Sequence, residues 1–167
     1  MWWHFLLSIV LFVFALYTIR SSRRGAPCLP MTNTSVKRLI SAAAIQPGEK
    51  VYDLGSGDGR VVFAAANQGA QAIGVELHPV LYWYSLVKRS FSSNKERITF
   101  IHDDLWQVSV ADADVVIIFF IKDKMPLLKQ KLQQEMKPGS RIISHIFTFP
   151  DWQYQKKDAT IYTYTID

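Results

Sequence analysis

Seven residues, Asp53-Leu54-Gly55-Ser56-Gly57-Asp58-Gly59, carry the sharpest chemical signal in the chain. They begin in a short run, Lys50 to Leu54, that reads as a strand. Glycines at alternate positions let a backbone pass close to a ligand. They also open onto the N-terminus of a helix, with its unpaired N–H groups. The dinucleotide spacing G-x-G-x-x-G is not met, because the sixth position from Gly55 is Arg60. What stands is D-x-G-x-G-x-G. An acid at a strand end beside free N–H groups suits a ligand that carries an ammonium and a carboxylate. Glu76 ends a second strand 23 residues after Asp53. A carboxylate about 20 residues beyond such a loop can accept both hydroxyls of a ribose. Asp103-Asp104-Leu105-Trp106 follow a third strand. An acid there can accept from an aromatic amino group, and the indole can pack on a ring. No Ser/His/Asp arrangement, metal-ligand spacing or P-loop is present, so no metal is expected. His145 lies inside a strand and reads as a satisfied core histidine.

The elements that must position these groups alternate. Ser35 to Ile45 reads as an amphipathic helix, with Val36, Leu39, Ile40 and Ala43 at helical spacing, ended by Pro47-Gly48. Strands are expected at Lys50 to Leu54, Gln71 to Glu76, Arg97 to His102, Ala113 to Phe120, Arg141 to Phe147 and Asp158 to Ile166. Helices are expected at Arg60 to Gln68, Leu81 to Ser92 and Met125 to Met136. The run ADVVIIFF has the continuous apolarity of a strand buried on both faces. Alternating strands and helices predict an α/β fold with a mainly parallel sheet, six strands by this count. Ligands of such sheets bind at the carboxyl ends of the strands.

The chain has 167 residues, 49% hydrophobic, with a net charge of +5 and one cysteine. That is one domain with a real core; a disulfide scaffold or multi-cysteine zinc site is excluded. Residues 1–50 hold six Lys/Arg against Glu49 alone, and residues 51–167 balance 13 against 13. The globular part therefore gives no reason to expect nucleic acid. The basic excess borders Trp2 to Ile19, which contains no Asp, Glu, Lys or Arg. Those eighteen residues rise about 27 Å, close to a bilayer's hydrocarbon thickness. Trp2, Trp3 and Tyr17 sit near the two ends, where aromatic rings favour the headgroups. A signal peptide would carry its positive charge before the apolar run, and here Arg20, Arg23 and Arg24 come after it. A single anchor over 2–19 is expected, then a basic linker over 20–34 and a catalytic domain over 35–167. The positive-inside rule puts that domain on the cytoplasmic face, or the matrix face in a mitochondrion.

D-x-G-x-G-x-G is the pattern of S-adenosylmethionine-dependent methyltransferases. Longer stretches narrow the likeness: Val51 to Val62, Gly74-Val75-Glu76-Leu77-His78-Pro79, Trp83-Tyr84-Ser85, Asp104-Leu105-Trp106, Met125-Pro126-Leu127-Leu128 and Phe147-Thr148-Phe149-Pro150-Asp151-Trp152. With the N-terminal apolar segment, the chain resembles the membrane-anchored seven-β-strand protein-lysine methyltransferases. These include the enzymes acting on the c-ring protein of ATP synthase and on the adenine nucleotide translocase. The resemblance implies a Rossmann-like class I methyltransferase fold and S-adenosylmethionine as cofactor. It also implies methyl transfer to a lysine of a membrane-embedded protein. Asp53, Gly55, Ser56, Gly57, Gly59, Glu76, Asp104 and Trp106 would hold the cofactor, Asp104 being preferred to Asp103 by its place in the family pattern. Phe120, Phe147, Phe149 and Trp152 are candidates for a substrate channel. Ile121-Lys122-Asp123-Lys124 departs from the family's more apolar segment after the fourth strand, and no Asn/Asp-Pro-Pro-Tyr stands there. A lipid, a quinone or another membrane-associated small molecule is the alternative substrate, and an inactive scaffold the remaining one.

Overall fold

A computed structural model describes residues 2–24 and 31–167. The first helix, α1 (Trp2–Arg24), extends the apolar segment through the arginines. It is the one described helix long and apolar enough to cross a membrane. Of the expected linker, Gly25–Pro30 lie outside the described residues, and Arg20–Arg24 are helical. Thr32 Oγ1 accepts the Ser35 N–H at 3.1 Å, so α2 (Asn33–Ala43) begins two residues earlier than its apolar spacing suggests. It ends at Ala44, which is left-handed at φ 47°.

The strands are β1 (Lys50–Leu54), β2 (Gln71–Val75), β3 (Ile98–Ile101), β4 (Val115–Phe119), β5 (Arg141–His145), β6 (Lys156–Asp158) and β7 (Ile161–Thr165). Between them lie α3 (Arg60–Asn67), α4 (Pro79–Ser90) and α5 (Met125–Glu135). They form one sheet in the order β3-β2-β1-β4-β5-β7-β6. The first five strands are parallel; β7 runs antiparallel to β5 and to β6. The order turns over between β1 and β4, and the carboxyl ends there are where a ligand belongs.

Both faces of the sheet are covered. Val115 and Ile117 pack with Leu39, Val62 and Ala65 of α2 and α3. Val116 and Ile118 pack with Leu128 and Leu132 of α5 and with Tyr164. That period of two explains the unbroken apolar run of β4.

The sheet has seven strands, where the strand signals count six. The missed one, β6, is Lys-Lys-Asp with every residue exposed. It has no apolar alternation to read and exists by pairing with β7, Lys156 opposite Thr163 and Asp158 opposite Ile161. Asp158 therefore belongs to the strand before the turn, and Ala159 makes that turn at φ 51°. At the other end of the hairpin system β5 stops at His145, because Ile146 turns left-handed at φ 75°. Helix α4 starts at Pro79 rather than Leu81, proline being suited to the first helical position.

Candidate functional site

Three acids gather at the carboxyl ends of β1, β2 and β3. Asp53 lies in β1, opposite Gly74 of β2 and Ile117 of β4. Glu76 follows β2, and Asp104 follows β3. All three are buried. Burial first, and then the Glu76 and Asp58 carboxylates, push Asp53 up to about 8. Burial also holds Glu76 above the ordinary carboxylate range, against the lowering effect of the backbone N–H groups it accepts from.

Glu76 is a structural clamp. Its Oε2 accepts the Gly57 N–H at 2.6 Å and its Oε1 the His78 N–H at 2.7 Å. One carboxylate thus ties the glycine loop to the start of α4. An ionised carboxylate has about four acceptor positions, so room remains for a ligand hydroxyl.

The glycine loop differs from the expectation of free N–H groups. Gly55 and Ser56 both donate to the Val75 carbonyl, at 2.9 and 3.0 Å, and Gly59 donates to the Ser56 carbonyl at 2.8 Å. With Gly57 held by Glu76, these four donors are spent on the fold. What surrounds the loop is acidic, Asp53, Glu76 and Asp104, a set that favours a cation. The Ser56 hydroxyl is buried against Gly74 and has no partner among the described residues.

Glycine is needed at two places for space. A Cβ at Gly74 would lie 2.8 Å from Ser56 Oγ and from the Phe100 ring. A Cβ on Gly59, at φ 77°, would lie 2.7 Å from Phe100 Cζ. Gly74→Ala is expected to cost about 1–3 kcal/mol of stability through overpacking. Gly74→Ala with Phe100→Leu should recover part of that in a denaturant titration; no recovery would mean that the ring is not the obstacle.

Two residues that sequence reasoning missed hold the loop from the far side. Ser85 Oγ donates to the Gly57 carbonyl at 3.1 Å, and Lys88 Nζ donates to the Asp58 carbonyl at 2.8 Å. Both lie on α4. Ser85 belongs to the Trp83-Tyr84-Ser85 stretch, so a signal existed; nothing marked Lys88. Arg60 clasps Asp58 through two side-chain bonds, at 2.9 and 2.7 Å, and holds its carboxyl below the usual range. Ser85→Ala removes one net hydrogen bond, worth about 0.5–1.5 kcal/mol. Ligand affinity should fall about 2- to 10-fold, with a smaller change in melting temperature, by isothermal calorimetry and thermal unfolding. Equal losses in both would make Ser85 a packing residue only.

Asp104 Oδ1 accepts the Trp106 N–H at 3.2 Å. The half-buried Trp106 ring meets Phe120 edge-on at 5.8 Å. Phe120 and Phe149 are core residues. Phe149 packs on Tyr164 and Trp152 at 5.0 and 5.2 Å, and its N–H donates to the Tyr164 hydroxyl. Of the four channel candidates, Phe147 and Trp152 are the two with partly open rings. His145 is buried beside Phe119, ring to ring at 5.1 Å, but its Nδ1 has no partner. It is not the satisfied histidine expected, and burial lowers its pKa. Among the described residues no group of three or more His, Cys, Asp or Glu converges as a metal site would.

His78, the residue before α4, meets α1. Its Nε2 lies 3.2 Å from the Phe14 carbonyl, and its ring lies 4.6 Å from Phe14 and 5.9 Å from Tyr17.

The chain is 41% identical over 126 residues to the lysine N-methyltransferase of the ATP synthase c-ring protein from Xenopus laevis, covering 75% of this chain and 55% of that enzyme. It spans about half the length of that relative and of its mouse and human counterparts. A protein-lysine N-methyltransferase of Saccharolobus islandicus matches at 29% over 150 residues, 84% of this chain and 93% of that one. Among solved structures, an RNA methyltransferase of Salinibacter ruber in complex with S-adenosyl-L-homocysteine superposes with a TM-score of 0.79. It is 29% identical and covers 83% of this chain and 94% of that one. The model of the ANTKMT methyltransferase domain matches residues 53–156, the stretch that holds the acids, the glycine loop and α4, and the chain belongs to that methyltransferase family.

Proposed function

We propose that this protein is an S-adenosylmethionine-dependent protein-lysine N-methyltransferase. Its substrate is a membrane-associated protein, reached from an N-terminal anchor. One observation carries the cofactor half of this reading. Asp53, Glu76 and Asp104 are buried at three adjacent strand ends around a loop that spends the N–H groups of Gly55, Ser56, Gly57 and Gly59 on the fold. Such a cradle fits a cationic, hydroxyl-bearing ligand and fits a phosphate poorly. Bound there, S-adenosylmethionine supplies an electrophilic methyl with a good leaving group. Glu76 has room left for a ribose hydroxyl. Asp53 suits the ammonium, and Asp104 with Trp106 suits the adenine.

No dedicated base is assigned. A lysine amine, ordinarily near 10.4, must lose its proton before it attacks. Phe147 and Trp152 exclude water from its path and lower its pKa by desolvation. The chain's main task is to hold amine and methyl in line. Supporting the protein substrate are the activities of the relatives and the balanced charge of residues 51–167. In this reading residues 2–19 anchor the chain, 20–34 link it, and 35–167 form the catalytic domain on the cytoplasmic or matrix face. The anchor raises the effective concentration of a substrate in the same membrane.

The test is to reconstitute the full chain in membranes from a strain lacking it and add methyl-labelled cofactor. Excess S-adenosylhomocysteine serves as the competitor control. A discrete labelled small protein, with label on lysine, is the expected result. Label confined to the lipid extract would transfer the reading to a small-molecule substrate. Label in neither would overturn the enzyme assignment.

A further inference from the structure

We infer that the outer face of α4 is a second membrane-contact surface, lying in the headgroup region of the bilayer that α1 enters. This rests on the anchor reading above and goes beyond it. Val80, Trp83, Tyr84 and Val87 of α4, with Phe91 just past its end, recur at three- and four-residue spacing and make one stripe. The stripe points outward: Trp83 is 64% exposed, Val87 58% and Phe91 86%. Ser85, on the other side of the helix, holds the glycine loop, and Lys88 reaches round to it from beside the Tyr84 ring, 5.4 Å away.

The occupant follows from where α1 touches the domain. Phe14 is the thirteenth residue of α1 counted from Trp2. Thirteen residues rise about 20 Å, less than the about 30 Å of hydrocarbon that a span must cross. The contact between Phe14 and His78 therefore draws the His78 corner of the domain down to the bilayer surface, or thins the bilayer toward it. Helix α4 begins at the very next residue, Pro79. Its stripe then lies where Trp and Tyr rings are at their most favourable, half in acyl chains and half in headgroups. Its two charged residues, Lys88 and Arg89, reach back to the Asp58 and Lys95 carbonyls and leave the stripe itself uncharged.

The experiment uses the full chain with Cys28→Ser, which frees the chain of its one cysteine. An environment-sensitive fluorophore is placed at Val87→Cys or Phe91→Cys. A control fluorophore goes at Gln133→Cys, exposed on α5 across the sheet. Each protein is reconstituted in phosphatidylcholine vesicles with one-quarter phosphatidylglycerol, floated on a density gradient, and exposed to doxyl-labelled lipid. The expected result is flotation, a blue shift and several-fold stronger quenching at 87 and 91 than at 133. Flotation with all three positions equally water-exposed would overturn the inference, leave the anchor standing and give the stripe to a protein partner. Shielding that grows with protein density rather than lipid would overturn it in favour of a second copy. Failure to float would overturn the anchor reading and this one with it.

Discussion

Glu76→Ala is expected to be the most damaging single substitution outside the hydrophobic core. It leaves the Gly57 and His78 N–H groups, now held at 2.6 and 2.7 Å, without their acceptor. A buried donor left unsatisfied costs about 1–3 kcal/mol. Removing the carboxylate also removes its own burial cost and its repulsion of Asp53, which offsets part of the loss. A net destabilisation of about 2–4 kcal/mol remains, together with a loss of cofactor affinity of about 10-fold or more. Glu76→Gln keeps one good acceptor and should recover a fraction of both. Guanidinium unfolding and calorimetric titration of the two variants measure this. An unfolding midpoint and affinity unchanged in Glu76→Ala would remove the residue from both roles.

Asp53→Asn is expected to remove a large pH dependence from the stability of the chain. The folded Asp53 carboxyl titrates at about 8, against an ordinary 3.8. Between those values the folded protein binds a proton that the unfolded chain has released. Stability therefore falls as pH rises from about 4 to about 8 and is level above that. Each pH unit in the window is worth up to about 1.4 kcal/mol, so several kcal/mol are at stake by about pH 8.5. The asparagine variant carries no such penalty. It should be the more stable protein at about pH 8.5 and close to the parent at about pH 4.5. Its ligand binding should suffer in return. A cationic ligand group beside Asp53 favours the ionised form and expels the proton. Affinity of the parent should then rise by up to about tenfold per unit between about pH 5.5 and 7.5, with one proton released. Calorimetry in buffers of different ionisation enthalpy reads that proton directly. Equal proton release by parent and Asp53→Asn would show that another group titrates.

Much of this site is legible because local chemistry and chain position coincide. Asp53, the glycines and Glu76 lie in or beside β1 and β2, and short strands with glycine turns announce themselves. What stayed hidden depends on contacts between distant segments. Nothing local says that Val75 takes the loop's N–H groups, or that Glu76 is already bonded to Gly57 and His78. Ser85 and Lys88 acquire their parts only when α4 folds back over the loop. The aromatic cluster after β5 shows the converse. Phe149 has the composition of a channel wall, but Tyr164 arrives from β7 and makes it core. Strand β6 was unreadable for a simpler reason: an exposed edge strand needs no apolar pattern to pair.

That same edge matters under the anchor reading proposed above. Proteins held in a membrane meet one another in two dimensions, at local densities far above those in solution. An open strand edge then invites neighbours to zip together into extended sheets. Here the outermost strand is three residues long and reads Lys156-Lys157-Asp158, all facing water. In a parallel, in-register seam each of the two lysines would face its copy, which disfavours that pairing. So short and charged an edge gives crowded copies little to zip onto.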